Sequence, residues 1–287
     1  MKYGAVFPQT EIGEDQGAVR EYAQAVEAMG YEYILVYDHV LGADTASRPN
    51  WTGPYTSETL FHEPFVLFGY LAGITKTIEL VTGIIILPQR QTVLVAKQAA
   101  EVDVLSQGRL RLGIGIGWNQ VEYEGLNENF HNRGKRSEEQ VEVLRQLWTS
   151  PVVTFKGNWH NIDAAGIKPL PIQRPIPIYF GGGRNDSVLK RIARLGDGWL
   201  PQTAPDEQGR ALIDKFRNFV SEAGRNTSDV GIDTRVNIAD GMETALINAG
   251  KWKEIQADYV GVNTMRAGFT SLEQHLNALQ EFKASLG

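Results

Sequence analysis

TIELVTGIIILPQRQTVLVAKQAAEVDVLSQGRLRLGIGIGW, running from Thr77 to Trp118, decides how the rest of the chain is read. Its opening run, Glu79 to Leu87, is nearly unbroken in β-branched residues and is closed by Pro88. That pattern predicts a strand buried on both faces of a parallel sheet, and the run is too short to span a bilayer. From Thr92 to Leu105 the apolar positions Val93, Val95, Ala96, Ala99, Ala100, Val102, Val104 and Leu105 predict a helix packed on the sheet, ended by Ser106, Gln107 and Gly108. A second apolar strand, Leu110 to Ile116, follows at once. Strand, helix and strand make one βαβ unit, and the right-handed crossover rule lays its two strands parallel in one sheet.

The same alternation extends outward in both directions. Lys2 to Phe7 reads as a strand stopped by Pro8, Gly17 to Met29 as a helix stopped by Gly30, Tyr33 to Tyr37 as a second strand, and Pro64 to Thr75 as a helix. Downstream, Ser137 to Trp148 has helical spacing, and Val152 to Pro171 looks like an insertion shaped as a short hairpin. Ile176 to Phe180, Gly198 to Pro201, Ile232 to Ile238 and Tyr259 to Val262 read as strands. Helices are expected near Asp186 to Leu195, Asp206 to Ala223, Thr244 to Lys253 and Ser271 to Leu286. Eight strands alternating with helices predict a closed (β/α)8 TIM barrel ahead of an open doubly wound sheet, although alternation alone leaves both open. The expected organisation is one barrel domain over 1–287 with insertions near 41–63 and 152–171.

Bulk properties exclude several classes of partner. A formal net charge of -6 over 287 residues argues against nucleic acid or an anionic membrane, since both ask for a basic patch. The sequence has no cysteine, so disulfides and thiolate metal sites are ruled out. MKYGAVFPQTEIGED, Met1 to Asp15, has no signal-peptide hydrophobic region. The expectation is a soluble, cytoplasmic chain.

Several groups of residues carry chemistry. Asp38 and His39 follow the second strand directly, and the C-terminal ends of barrel strands are where such folds place their active sites. A helix cap or loop hydrogen bonds would explain the same pair. Residues 41–63 hold Arg48, Pro49, Trp51, Gly53, Pro54 and Tyr55 with no clear period, which suggests a lid or a substrate wall against the alternative of a surface loop, and the aromatic content tilts the reading toward the lid. Gly181, Gly182, Gly183 and Arg184 lie between an apolar strand and a helix. Glycines let backbone amides approach an anion, the helix N-terminus adds positive potential, and arginine adds a charge-assisted bond. This combination predicts a phosphate cradle, against the alternative of a tight turn. GIGIGW, Gly113 to Trp118, lacks the third glycine of a dinucleotide fingerprint. Gly115 and Gly117 would instead thin the barrel mouth so that a flat ring can lie against the backbone, and Thr82 with Gly83 invites a β-bulge. Glu122 and Arg133 could border the mouth. His62, His131, His160 and His275 lack metal-ligand spacing, so no metal is expected.

The wording of the central unit resembles the luciferase-like monooxygenase superfamily, in particular its branch dependent on coenzyme F420. The resemblance is carried by LVTGIIILPQRQTVLVAKQAAEVDVLSQGRLRLGIGIGW, by YILVYDHV at Tyr33 to Val40, and by PIPIYFGGGRNDSVLKRIARLGDGWLP at Pro175 to Pro201. It implies a flavin or deazaflavin oxidoreductase, with F420 or FMN as cofactor. The cofactor's phosphate would lie on Gly181 to Arg184, and its tricycle over a bulge at Thr82 and Gly83 that often carries a non-proline cis peptide. Asp38 would bond near the polar edge of the ring and His39 would exchange a proton beside the reacting position. Deazaflavin sugar-phosphate and alcohol dehydrogenases of the superfamily carry an acidic residue where this chain has Trp118. That difference favours reduction or oxygenation of an apolar substrate beside Trp51, Trp118 and Glu122. Hydride transfer with F420 is the leading expectation. FMN-dependent monooxygenation with a partner flavin reductase is the alternative, and a non-redox barrel binding a phosphorylated metabolite is a second one. Pairing of two copies as a homodimer is expected from the same resemblance.

Overall fold

The computed structural model describes residues 1–12 and 15–286. Its strands are β1 (Lys2–Val6), β2 (Tyr33–Tyr37), β3 (Glu79–Ile86), β4 (Leu110–Gly115), β5 (Val153–Lys156), β6 (Asn161–Ala165), β7 (Ile178–Gly181), β8 (Gly198–Leu200), β9 (Gly231–Asn237) and β10 (Tyr259–Asn263). All but β5 and β6 run parallel and close into a barrel in the order β1, β2, β3, β4, β7, β8, β9, β10 and back to β1. Around it lie the helices α1 (Gln16–Ala28), α2 (Pro64–Ile74), α3 (Thr92–Leu105), α4 (Gln120–Gly125), α5 (Arg133–Thr149), α6 (Asp186–Leu195), α7 (Glu207–Glu222), α8 (Met242–Glu254) and α9 (Leu272–Ala284). The closed (β/α)8 barrel expected from the alternation is therefore the fold. Among the described residues no helix is long and apolar enough to cross a membrane.

Two connections leave the C-terminal ends of barrel strands and border the mouth. Residues 41–63, after β2, contain no helix or strand, as their lack of period predicted. The polar run after Trp118, beyond β4, forms α4. Asn119 caps that helix by accepting the Val121 amide, and one apolar face is enough because Tyr123 is fully buried. Insertion 152–171 carries the antiparallel hairpin β5–β6.

Side chains alternate across each strand. In β2, Ile34 and Val36 belong to the layer between strands and helices, whereas Tyr33 and Leu35 pack with Val6, Val81, Tyr179 and Leu200 inside the barrel. β3 changes phase part-way along. Val36 pairs with Thr82 but Tyr37 pairs with Ile84, so Gly83 is an extra residue, and the pairing with β4 breaks over the same stretch. This β-bulge turns Val81 inward before it and Ile84 and Ile86 inward after it. Thr82 Oγ1 donates to the Gly113 carbonyl at 2.7 Å and ties the bulge to β4. Both cis peptides among the described residues precede proline, at Pro169 and Pro175. The bulge is thus made of trans peptides, against what the resemblance implied.

The lower barrel is filled by a charged cluster. Arg111 on β4 donates to Asp233 on β9 at 2.8 Å, and the other oxygen of Asp233 accepts from the Tyr33 hydroxyl at 2.9 Å. The Arg111 guanidinium lies 3.9 Å from the centre of the Tyr259 ring and 4.8 Å from those of Tyr33 and Tyr179. Cation–π contact with three rings and ion pairs to Asp233 and, at 3.5 Å, to Glu79 together offset the desolvation of the charge.

Candidate active site

Above that cluster the carboxyl ends of the strands open onto a cavity of about 760 Å³. This is the face where barrels of this kind place their chemistry, and the volume falls in the range of small-molecule sites. Asp38, His39, Gly83, Gly115, Gly117, Trp118, Gly181 and Gly182 all line it. The structure thus gathers residues from β2, β3, β4 and β7 that the sequence picked out separately.

His39 follows β2, and its ring is held in an aromatic box. Tyr55 and Phe61 lie 4.7 and 4.8 Å away between ring centres, and Trp118 lies 6.0 Å away. Its Nδ1 is 3.0 Å from Oε1 of Glu122. That oxygen also accepts the Val40 amide at 2.9 Å, and Oε2 accepts Gln89 Nε2 at 3.3 Å. Glu122 was expected to border the substrate, but α4 places it behind the histidine, fully buried. Burial acts to raise its pKa. The bonds from His39, Gln89 and the Leu41 amide outweigh that and hold the carboxyl below its ordinary value. A charged carboxylate on Nδ1 fixes that nitrogen as the protonated one and leaves Nε2 for a ligand.

Asp38 faces the cavity, but its oxygens are engaged. Oδ1 accepts from Arg90 at 2.8 Å and Oδ2 from the Ile86 amide at 3.2 Å. Burial raises its pKa despite Arg90. Arg90 also bonds Glu63 at 2.8 Å, so the Asp38–Arg90–Glu63 chain ties the end of β2 to the start of α2.

The glycines do something other than thin the wall. A Cβ on Gly115 would meet Ile84 Cδ1 at 2.7 Å, and one on Gly181 would collide with Ile84 Cγ2. Two absent side chains therefore make a socket for Ile84, which the bulge has turned inward. The cavity's bed is this isoleucine, not bare backbone. Gly117 plays the same part for Ile86. Thr82 is fully buried beneath the bed.

At the phosphate cradle, Gly182 and Gly183 have φ of +92° and +93°, a region open at little cost only to glycine. A Cβ on Gly182 would meet nothing within 4 Å. Asn185, the N-cap of α6, gives that helix no side-chain bond, so its first amides face outward unsatisfied by a cap. Asp186 in the first turn is drawn aside by Lys215 at 2.6 Å. Gly183 and Arg184 stand at the rim outside the cavity lining, with Arg184 exposed and bonded to the Gln202 carbonyl at 3.0 Å. Trp51 is likewise one layer out. Its ring lies 5.8 Å from that of Trp118, and its Nε1 donates to the Tyr55 carbonyl at 3.0 Å.

A family model for luciferase-like monooxygenases matches residues 2–284. The chain belongs to the luciferase-like monooxygenase family. An uncharacterised protein of Mycobacterium tuberculosis is 34% identical over 211 residues, covering 71% of this chain and 72% of that one. The FMNH2-dependent dimethylsulfone monooxygenase of Pseudomonas fluorescens is 29% identical over 240 residues, covering 83% of this chain and 61% of the enzyme. Among solved structures, the monooxygenase RslO1 from Streptomyces bottropensis superposes with a TM-score of 0.81 at 19% identity, covering 100% of this chain and 98% of that one. An F420-dependent secondary alcohol dehydrogenase gives 0.78 at 18% identity, covering 98% and 97%. Luciferase-like proteins that depend on FMNH2 and on F420 thus both stand among its relatives and neighbours, and the family is one of oxidoreductases.

Within this luciferase-like barrel, sequence reasoning missed Ile84, Arg90, Arg235 and Asn237. The first needed the bulge to be placed to the residue. Arg235 and Asn237 had a readable signal. Asp233, Arg235 and Asn237 recur at period two in a strand whose intervening Ile232, Thr234 and Val236 are buried, so a polar row faces the barrel interior.

Proposed function

We propose that this protein moves hydride between coenzyme F420 and a small organic substrate, with His39 handling the accompanying proton. The observation that carries the reading is the Glu122–His39 couple in the wall of the cavity, beside a bed for a flat ring and a cradle for a phosphate. Histidine and carboxylate supply protons and not electrons, so redox chemistry at such a site draws on a bound cofactor. The residues fit one. Gly182, Gly183, the uncapped start of α6 and Arg184 would hold its phosphate, and Ile84 in its glycine socket would support one face of the ring. When bound, F420 supplies a hydride donor and acceptor that does not activate oxygen.

The chain's own residues do the rest. Glu122 orients His39 and holds Nδ1, so Nε2 is the nitrogen left to give or take a proton. Tyr55, Phe61 and Trp118 pack the imidazole and exclude water from it. Trp118 fills the position where the resembled alcohol dehydrogenases carry an acid, which leaves His39 as the proton-exchanging group. A second reading, FMN-dependent monooxygenation with electrons from a partner flavin reductase, is favoured by the likeness to the dimethylsulfone monooxygenase.

Titration of the purified protein with F420 and with FMN, followed by quenching of tryptophan fluorescence, separates the readings. Tight binding of F420 but not FMN is expected. The reverse would replace hydride transfer by oxygen chemistry, and binding of neither would overturn the cofactor assignment. His39→Ala should leave cofactor affinity within about twofold while turnover drops by about 10²–10⁴-fold.

A further inference from the structure

Arg235 is a cation in the cavity wall without a counter-charge of its own. It lies on β9 between Asp233 and Asn237, on the inward-facing side of the strand, and both Arg235 and Asn237 line the cavity. Its Nε and Nη2 are buried and have no hydrogen-bond partner. The groups that act on it electrostatically are Tyr37, Asp233 and Tyr33. Asp233 is already shared between Arg111 and the Tyr33 hydroxyl. Tyr37 engages it through a neutral hydroxyl that hydrogen-bonds the guanidinium, and through an aromatic face 5.8 Å from the guanidinium carbon, but brings no charge. Most other arginines with an unpartnered buried nitrogen have a carboxylate: Arg90 has Asp38 and Glu63, Arg111 has Asp233 and Glu79, Arg136 has Glu128, and Arg145 has Asp197. Arg133 has none, but it donates to the Phe130 carbonyl, lies over the Phe130 ring and is not part of the cavity lining. A desolvated cation is costly unless something pairs with it. Here the cavity is the open side.

The barrel order says which ligand would meet it. The bed for the flat ring is built from β3, β4 and β7, and in the closed order β9 lies four strands from β3, directly across the barrel. Arg235 therefore faces the bed from the opposite wall, where a molecule lying on the uncovered face of the ring would sit. We propose that Arg235 anchors an anionic group on the substrate, a carboxylate or sulfonate, so that this enzyme acts on small organic anions. The inference rests on reading the cavity as the redox site. It adds the substrate's charge and the wall that holds it.

The test is calorimetric titration of the purified protein with butanoate, butanesulfonate and neutral butanamide, repeated with Arg235→Met. Both anions should bind and the amide should not, and Arg235→Met should weaken the anions by about tenfold or more while F420 and FMN affinities stay as they were. Anions that bind no better than the amide would overturn the proposal. So would anion binding undiminished in Arg235→Met, which would place the anion at the glycine cradle. Loss of cofactor affinity with anion binding intact would assign Arg235 to the cofactor and also defeat it. Should Arg235→Met not fold, Arg235→Gln removes the same charge with a polar side chain and is judged by the same outcomes. Because cofactor titrations are run on the same proteins, failure of the anion arm leaves the redox reading standing.

Discussion

Arg111 and Arg235 stand inside one barrel, and β9 supplies neighbours to both, yet they are handled differently. At the floor, Arg111 has the Asp233 carboxylate and three tyrosine rings. At the mouth, Arg235, which like Arg111 has two nitrogens without hydrogen-bond partners, has no carboxylate among the described residues within ion-pair distance and a cavity in front of it. A strand with a period-two polar row thus passes from structure to function within its own length. The floor's charges are paired with each other and pin eight strands around a centre, whereas the mouth keeps its charge for something that arrives. The contrast is sharpest in stability. Asp233→Ala would strand Arg111, with only Glu79 left at 3.5 Å from Nε, and should lower unfolding free energy by about 3–5 kcal/mol in denaturant melts. Arg235→Met should cost far less, since it removes a charge that has no charged partner to orphan. Equal losses at the two positions would erase the distinction between floor and mouth.

The mouth also contains a satisfied pair, His39 with Glu122, and it is satisfied for a different purpose. Floor pairing holds strands together. Pairing here fixes which imidazole nitrogen carries the proton. Glu122→Gln keeps an oxygen for the Val40 amide but loses the carboxylate charge that fixes which nitrogen of His39 carries the proton. It should cut turnover by about 10–10²-fold with little change in cofactor affinity. Glu122→Asp keeps the charge and should recover part of that loss. Equal losses in the two variants would mark Glu122 as merely structural, like Asp233.

How far this contrast could be read from the chain depends on the kind of signal. Strands and helices followed from local periodicity, and the barrel from their alternation. His39 and Asp38 stood out because two titratable residues end an apolar strand. Glu122 was legible as a residue near the mouth but not as the partner of His39, since that contact joins positions 83 apart in sequence and depends on a six-residue helix with little periodic signal. The glycines were legible as special, but what they make room for was not. Ile84 enters the cavity only because Gly83 is an inserted residue, and although Thr82 with Gly83 marked a bulge, which side chains it turns inward is set by the pairing with β2 and β4. The engagement of Asp38 by Arg90 was hidden for the same reason as Glu122, being a contact across 52 residues.

A third buried titratable group tests whether compensation or exclusion governs the wall of helices around the barrel. His275 on α9 is 1% exposed, with Nδ1 2.8 Å from Thr264 Oγ1 and its ring 5.2 Å from that of Phe269. Burial pushes its pKa down from 6.5 to about 4, outweighing the Glu11 carboxylate 3.5 Å from Nε2. The folded chain thus keeps this ring neutral down to about pH 4, whereas in the unfolded chain it takes up a proton near pH 6.5. Between those values unfolding binds a proton, so stability is full above about pH 6.5 and declines as pH falls toward 4. His275→Asn should flatten that part of the profile, narrowing the difference in unfolding free energy between about pH 7 and about pH 5 by about 1 kcal/mol. This is a smaller effect than the floor site gives, because the group avoids charge instead of pairing it. An unchanged pH slope in the variant would mean that Glu11 compensates His275 after all, as Asp233 compensates Arg111 at the floor.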